Sequence, residues 1–209
     1  MKGLIPNIIT IFRIILVPPF VFLIFQDASG ATVAALIIFL IGSFSDWLDG
    51  YLARKLNMQN QFGVFLDPLA DKLLTGSAFI SFTVIRELSI PVIVVIIILI
   101  REIALTFLRV YASSKHLLFR TEYSGKLKTA AQMFSIVVIL VILVFLRHHG
   151  SVEEYYASYP ETPWMVWFLT EGVGRYIPVA LVTVCALLSV ISLIEYLIKN
   201  KDLLFIKKP

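Results

Sequence analysis

The sequence predicts an all-α polytopic membrane protein, a single domain over residues 1–209, with six transmembrane helices around a polar cavity that faces the cytoplasm. Composition is the first observation behind this prediction: 59% of the 209 residues are hydrophobic, 15% are charged, and the mean hydropathy is +0.90. Soluble domains average about a quarter charged residues. A water-soluble globular protein of this size could not bury so much apolar surface in one core, so that class is excluded. A disordered chain is also excluded, because it would have low hydrophobicity.

The second observation is the length of the apolar stretches. Each is near the ~20 residues that cross the hydrocarbon core of a bilayer. The first is expected to be a retained helix and not a signal peptide, because Arg13 and Pro18-Pro19 lie inside it and it lacks a small-residue cleavage site. An outer loop at about 147–175 is expected before the last stretch. The six stretches are 8–26, 31–50, 66–86, 88–111, 127–146 and 176–198.

The distribution of basic residues predicts the orientation. With the N-terminus inside, and with Lys72, Arg86 and Lys128 counted in the segments next to their stretches, three of the 18 Lys and Arg residues fall in outer segments, three within spans, and the remaining twelve in inner segments. Lys and Arg gather on the cytoplasmic side of membrane proteins, so both termini are expected in the cytoplasm. The outer residues are Arg86, Arg147 and Arg175, and those within spans are Arg13, Arg101 and Arg109.

Four aspartates cluster at the cytoplasmic edge of two neighbouring stretches. Asp46 and Asp49 end the second stretch, and Asp67 and Asp71 begin the third. Spacings of three and four residues place each pair on one helix face, and Pro68 is expected in the first turn of its helix. Ionisable residues in or beside spans are costly and usually functional. The two faces are therefore predicted to converge on a common site.

Carboxylates this close repel one another unless cations neutralise them, and two divalent cations balance four negative charges. All-oxygen ligands select Mg²⁺, Mn²⁺ or Ca²⁺ over zinc, and the single cysteine, Cys185, excludes a Cys-based metal site and an internal disulfide. A two-metal carboxylate site suits displacement at a phosphorus atom. The alternative is that the acids form interfacial ion pairs with Arg54, Lys55 and Lys72.

One continuous pattern joins these acids to smaller residues around them: Asp46-x2-Asp49-Gly50-x2-Ala53-Arg54-x8-Gly63-x3-Asp67-x3-Asp71. It resembles the signature of the CDP-alcohol phosphatidyltransferase family, with no position departing from it. The resemblance implies a six-helix membrane enzyme, usually a homodimer, with its active site facing the cytoplasm. Such enzymes move a phosphatidyl group from a CDP-lipid to an alcohol and release CMP.

The same resemblance implies a role for each residue of the pattern. The four aspartates correspond to the ligands of two divalent cations, Mg²⁺ or Mn²⁺. Asp71 also corresponds to the general base that takes the proton from the acceptor hydroxyl. The residues that correspond to the CDP-lipid site are Gly50, Ala53, Arg54 and Gly63.

Further segments extend the resemblance. Pro6-Asn7, Thr10 and Arg13 are similar to the N-terminal segment of the family. Arg101-Glu102, Leu108-Arg109 and Gly125-Lys126-x-Lys128-Thr129-x-x-Gln132 are similar to the subfamily that uses CDP-diacylglycerol and sn-glycerol 3-phosphate to make phosphatidylglycerol phosphate. Arg101 with Glu102 is interpreted as a structural pair between spans. The residues expected to contact the phosphate of the acceptor are Arg109, Lys126, Lys128, Thr10 and Arg13.

Other functions compete with this one. Within the family, the acceptor could be inositol phosphate, serine or a phosphatidylglycerol. Outside it, intramembrane acids also mark divalent-cation transporters, although these acids lie at one interface and only Glu102 is near the midplane. A lipid-binding scaffold with a degenerate site is a third alternative. The expected partners are the two substrates, membrane lipids and a second copy, with no nucleic acid, and the expected location is a bacterial inner membrane.

Overall fold

The computed structural model describes the backbone of residues 4–56, 61–114, 123–148 and 168–200, and the side chains of 11–45, 72–108, 127–148 and 172–200 together with Gly125. All regular structure in these residues is helical, as predicted. A 3₁₀ turn, Arg86–Leu88, precedes the fourth helix, and a π-helical segment, Phe168–Tyr176, precedes the sixth. The helices are α1 (Leu4–Ile24), α2 (Ser29–Leu56), α3 (Gln61–Val84), α4 (Val92–Ser114), α5 (Tyr123–His148) and α6 (Ile177–Lys199).

The helices extend beyond the apolar stretches at the predicted cytoplasmic end, here called the inner end. Helix α2 continues to Leu56, past the predicted residue 50, and α3 begins at Gln61, before the predicted residue 66. Hydropathy marks the depth of the bilayer, whereas backbone hydrogen bonding continues into the polar interface. The aspartates therefore lie within helices. Pro68 lies about two turns into α3, so its expected place in the first turn was wrong.

The connection between α3 and α4 also differs from the predicted start at residue 88. Ser89 has φ 48° and ψ 31°, the left-handed conformation, which is uncommon for a residue with a side chain. Pro91 follows, and its carbonyl accepts the Val94 amide at 3.1 Å as the helix begins. Because proline lacks an N–H, it fits at the start of a helix, where that donor would have no partner.

Contacts between helices close into a ring in the order α1, α2, α5, α6, α4, α3. Helix α3 also contacts α5 across the ring, and α2 contacts α3. This order differs from the order along the chain, so helices separated in sequence become neighbours. In particular, α3 contacts both α4 and α5, and the side chains described below join all three helices.

Buried aromatic and small residues allow this packing. The rings of Phe20 on α1 and Phe39 on α2 have centroids 6.1 Å apart at an interplanar angle of 45°. At Gly42 on α2, a Cβ atom would lie 2.5 Å from the terminal carbon of the Leu74 side chain on α3. The absence of a side chain at Gly42 therefore permits the close approach of α2 to α3.

Large apolar side chains also cover the outer surface of the helices. Phe22 on α1 is 67% exposed and Phe134 on α5 is 64% exposed, and each of the six helices carries exposed isoleucine, valine or phenylalanine side chains. Such a surface suits lipid better than water. Within the described residues, Leu127–His148 and Gly172–Lys199 are long and apolar enough to cross a membrane. The crossing of the other four helices stays a prediction.

Candidate active site

The eight residues of the aspartate pattern lie on two helices that contact each other. Helix α2 is continuous through Asp46 and Asp49, and α3 is continuous through Asp67 and Asp71. Helical backbone at these positions confirms the premise that each pair shares a face. The side chains of the four aspartates lie outside the described residues. The same is true of the other four members of the pattern, which are Gly50, Ala53, Arg54 and Gly63.

The residues expected to bind the phosphate of the acceptor come from three helices. Thr10 is on α1, Arg109 on α4 and Lys126 on α5, with side chains outside the described residues. Arg13 on α1 and Lys128 on α5 are described, and both are buried, with 2% and 3% of their surface exposed. Among the side chains that the structure describes, no three acids, histidines or cysteines form a group that could hold a metal ion.

A partly buried carboxylate on α4 binds cations from three helices. The Oε2 atom of Glu102 lies 3.1 Å from Nζ of Lys72 on α3, and its Oε1 atom lies 3.2 Å from Nη1 of Arg101. Oε1 also contacts Nζ of Lys128 on α5. The Glu102 side chain is only 15% exposed. These four residues are called the Glu102 cluster below, and they join α3, α4 and α5 by side-chain charges.

Lys72 is held by more than the carboxylate. Its Nζ also donates to the backbone carbonyl of Glu102 at 3.1 Å and to the hydroxyl of Thr106. The Thr106 hydroxyl in turn donates to the same Glu102 carbonyl at 2.8 Å. An ammonium group has three N–H donors, and here it faces three acceptors on one helix, so the Lys72 side chain is fixed against α4.

Arg101 extends the cluster to a fourth helix. Its Nη2 donates to the Ser192 hydroxyl on α6 at 2.6 Å. This bond and the pair to Glu102 join α4 to α6, the kind of contact that a structural pair between spans makes, and the structural interpretation stays a prediction. Lys72 and Lys128 are partners of Glu102 that the sequence alone does not identify. The signal in the sequence is an acid in the middle of an apolar stretch, which needs cationic partners. The order of the helices around the ring decides which cations these are, and the sequence does not give that order.

Two cavities border the cluster. A polar cavity of about 30 Å³, the size of a water molecule, is lined by Lys72, Thr75, Glu102, Lys128, Thr129, Gln132 and Met133. An apolar cavity of about 520 Å³ lies between α3 and α4 and reaches Lys72, Glu102 and Thr106 at its polar end. Ile80, Ile103 and Phe107 line it and are exposed on the outer surface. The charged cluster thus adjoins an apolar space that reaches the outer surface of the helices.

A second buried charge lies at the opposite, outer end of the ring. Nη1 of Arg147, near the end of α5, donates to the carbonyls of Ile24 and Gln26, each at 2.8 Å, and to the Thr32 hydroxyl at 3.0 Å. Its guanidinium also lies 3.5 Å from Asp27 and 3.7 Å from Glu87. This Arg147 cluster joins the end of α1, the start of α2 and the 3₁₀ turn. From the sequence alone, Arg147 is recognisable only as an outer basic residue.

The sequence of the chain is similar to those of known proteins. The model of the family described as CDP-alcohol phosphatidyltransferase matches residues 3–170. A Bacillus subtilis (strain 168) protein named CDP-diacylglycerol–glycerol-3-phosphate 3-phosphatidyltransferase is 39% identical over 148 residues, which are 65% of this chain and 76% of the relative. A protein of the same name from Escherichia coli (strain K12) is 31% identical over 198 residues, covering 92% of each chain.

Proposed function

The chain belongs to the CDP-alcohol phosphatidyltransferase family, and we propose that it transfers a phosphatidyl group from CDP-diacylglycerol to sn-glycerol 3-phosphate. The acceptor hydroxyl oxygen attacks the β-phosphorus of the donor. The bond from that phosphorus to the oxygen it shares with the α-phosphate breaks, and CMP leaves. The products are phosphatidylglycerol phosphate and CMP. The observation that carries the proposal is the unbroken eight-residue pattern on two contacting helices, in a chain that is 31–39% identical to relatives named for this reaction.

The four aspartates are proposed to hold two divalent cations, Mg²⁺ or Mn²⁺. Support comes from the donor set, which is all oxygen, and from the helical backbone that puts two carboxylates on each of two faces. Divalent cations in such a site neutralise charge on the phosphates of the donor and on the leaving group. The donor set therefore fits the metals that a phosphatidyl transfer requires.

The protein's own residues have distinct proposed roles around this site. Asp71 accepts the proton of the acceptor hydroxyl, because an alcohol is a weak nucleophile at neutral pH and needs a positioned base. Gly50, Ala53 and Gly63 leave space for the cytidine and ribose of the donor, and Arg54 binds its diphosphate. This assignment follows the pattern position by position.

The phosphate of the acceptor is proposed to bind Thr10, Arg13, Arg109, Lys126 and Lys128. Helix α5 begins at Tyr123, so Lys126 lies in its first turn, where backbone N–H groups and the helix dipole attract anions. Lys128 lies in the second turn and would contribute the charge of its side chain. Helices α1 and α4 supply the other three residues. Lys128 would contribute to this site while bound to Glu102, as an ammonium group donates up to three hydrogen bonds.

The proposed setting is a bacterial inner membrane, with six spans, both termini and the active site on the cytoplasmic side, in a homodimer and as one domain over residues 1–209. The excess of basic residues in the inner segments supports the orientation. The exposed apolar surface of all six helices supports burial in lipid. The donor's acyl chains must stay in lipid while its diphosphate reaches the aspartates, which requires a site open sideways to the membrane.

Release of CMP by the purified protein in detergent tests this function. Reactions contain CDP-diacylglycerol with sn-glycerol 3-phosphate, inositol phosphate or serine, with Mg²⁺ or with EDTA. We expect release with glycerol 3-phosphate and Mg²⁺ only. Asp71→Asn should lower kcat by about 100-fold or more, within the range of lost general-base catalysis, while Asp27→Asn, an exposed acid of the outer cluster, should retain wild-type kcat.

Other outcomes would reassign the function. Release with a different alcohol keeps the family and replaces the acceptor. Absence of release with every alcohol, together with Mn²⁺ uptake into liposomes that contain the protein, would favour a transporter. The structure already argues against that alternative, because Glu102, the acid near the midplane, is bound to three cationic side chains that repel a metal ion.

A further inference from the structure

The Glu102 cluster connects directly to the helix that bears two of the proposed metal ligands. Lys72 follows Asp71 in the chain, and both belong to α3 together with Asp67. The Lys72 ammonium is bound by the Glu102 carboxylate, the Glu102 carbonyl and the Thr106 hydroxyl, all on α4. Whatever fixes the Lys72 side chain therefore restrains α3 at the turn that carries Asp71.

We infer that Glu102 is a positioning residue for the proposed reaction, which acts through Lys72 to set the rotation of α3 and hence the position of Asp71 and Asp67. The inference rests on the proposed function for the identity of the reaction. Glu102 is not assigned a contact with substrate. Its role is to hold Lys72 from α3 and Lys128 from α5 on one carboxylate.

The size of the restraint explains why it matters. The tips of helical side chains lie about 5 Å from the helix axis. Rotation of α3 by about 10° would therefore move an Asp71 oxygen by nearly 1 Å, and a misplacement of about 1 Å costs on the order of 100-fold in rate. Apolar packing alone permits such small rotations more readily than a directed bond does. The three acceptors on α4 bind the Lys72 ammonium in one orientation and so oppose rotation of α3.

Charge, and not only shape, is required at residue 102. A glutamine has nearly the same shape but would face Lys72, Arg101 and Lys128 without neutralising them. Cations in a poorly solvated site repel one another strongly, so Lys72 would move away from α4. Glu102→Asp retains the charge on a shorter side chain and should preserve much of the arrangement. The difference between these two variants separates charge from volume.

The test compares Glu102→Gln, Glu102→Asp, Lys72→Met and the double variant Glu102→Gln/Lys72→Met in the full-length protein. Glu195→Gln is the matched control, because Glu195 pairs with Lys199 on its own helix, far along the chain from α3. Two measurements are made on folded protein isolated by size exclusion: kcat and KM from CMP release, and the Kd for Mn²⁺ by electron paramagnetic resonance. The second measurement does not depend on turnover.

We expect Glu102→Gln to lower kcat about 10- to 100-fold and to weaken Mn²⁺ binding about tenfold, the range found when residues that orient metal ligands are changed. The KM for CDP-diacylglycerol should change less than threefold. Glu102→Asp should restore most of kcat. The double variant should resemble Lys72→Met alone, since residues that act through one another give non-additive effects. If Glu102→Gln does not fold, Lys72→Met should show the same loss.

Several results would overturn the inference: wild-type kcat and Mn²⁺ affinity in Glu102→Gln or Lys72→Met, an equal loss in Glu195→Gln, or additive effects in the double variant. A wild-type protein that does not bind Mn²⁺ would also overturn it. Failure of the proposed function has a different signature. In that case the wild-type protein releases no CMP with any alcohol, while the variants still differ from it in Mn²⁺ affinity.

Discussion

The Glu102 and Arg147 clusters both bury a charge that joins helices, but they satisfy it in different ways. Glu102 binds the charged side chains of Lys72, Arg101 and Lys128. Arg147 instead binds mainly backbone carbonyls at the end of α1, and its acidic neighbours Asp27 and Glu87 are 91% and 40% exposed. The first arrangement depends on a balance of charges. The second depends on carbonyl groups that the helix end leaves without intrahelical partners.

This difference indicates whether each cluster affects the stability of the protein, its reaction, or both. Arg147 completes the C-terminal end of α1, where a cation also interacts favourably with the helix dipole. Its effect should be on stability. The Glu102 cluster lies beside the helix that bears Asp67 and Asp71, so a change there should affect both stability and the reaction. Three measurements test this contrast and one tests the packing of α2 on α3, and they follow in order from the largest expected effect to the smallest.

Glu102→Gln should lower the free energy of unfolding by about 3–5 kcal/mol, the cost of removing one partner from a buried ion pair. The cationic side chains of Lys72, Arg101 and Lys128 would then face one another without a neutralising charge. The Glu102 side chain that they surround is only 15% exposed. Unfolding in mixed micelles with increasing SDS measures this change. A loss no larger than that of the half-buried control Glu195→Gln would show that solvent or lipid headgroups neutralise the cluster, and the contrast would fail.

Arg147→Gln should lower the free energy of unfolding by about 1–3 kcal/mol, because the carbonyls of Ile24 and Gln26 lose a buried donor. The kcat of the folded variant should equal that of the wild type. Arg86→Gln, at an exposed position on the same outer side, is the control and should alter neither quantity. A kcat of Arg147→Gln that falls as far as that of Glu102→Gln would remove the functional distinction between the clusters.

Gly42→Ala should be less stable than Gly76→Ala by about 1–2 kcal/mol, since its Cβ would lie 2.5 Å from the buried Leu74 side chain and force it to move, while both variants gain helix propensity. Gly76→Ala is the matched control on α3. There the new Cβ would be 3.5 Å from Leu99, an ordinary contact, so the helix propensity of alanine should leave stability unchanged or raise it by up to about 1 kcal/mol. Equal melting temperatures for the two variants would contradict the close approach of α2 and α3.

Asp27→Asn should have the smallest effect, with a melting temperature unchanged within error at both low and high salt. Its carboxylate is 91% exposed and lies 3.5 Å from the Arg147 guanidinium. Exposed ion pairs contribute little because water and salt screen them. A fall in melting temperature comparable to that of Arg147→Gln would mean that the Arg147 cluster depends on charge pairing, as the Glu102 cluster does.

The sequence by itself determined the helical class, the six apolar stretches and the aspartate pattern, and each for a local reason. Hydropathy over about 20 residues reports the bilayer as solvent. The pattern from Asp46 to Asp71 spans only the ends of two consecutive helices and their short connection, so residue spacing alone relates its members. The family that the pattern resembles is the one to which the chain belongs.

Only the tertiary structure decided which distant residues meet. Nothing local indicates that Lys72, Glu102 and Lys128 share one site, because the ring order α1, α2, α5, α6, α4, α3 differs from the order along the chain. The same holds for Arg147, which contacts α1 more than 120 residues away in sequence. Buried charges require partners wherever packing can supply them. Their identity is set by how six similar apolar helices pack, and hydropathy does not encode that order.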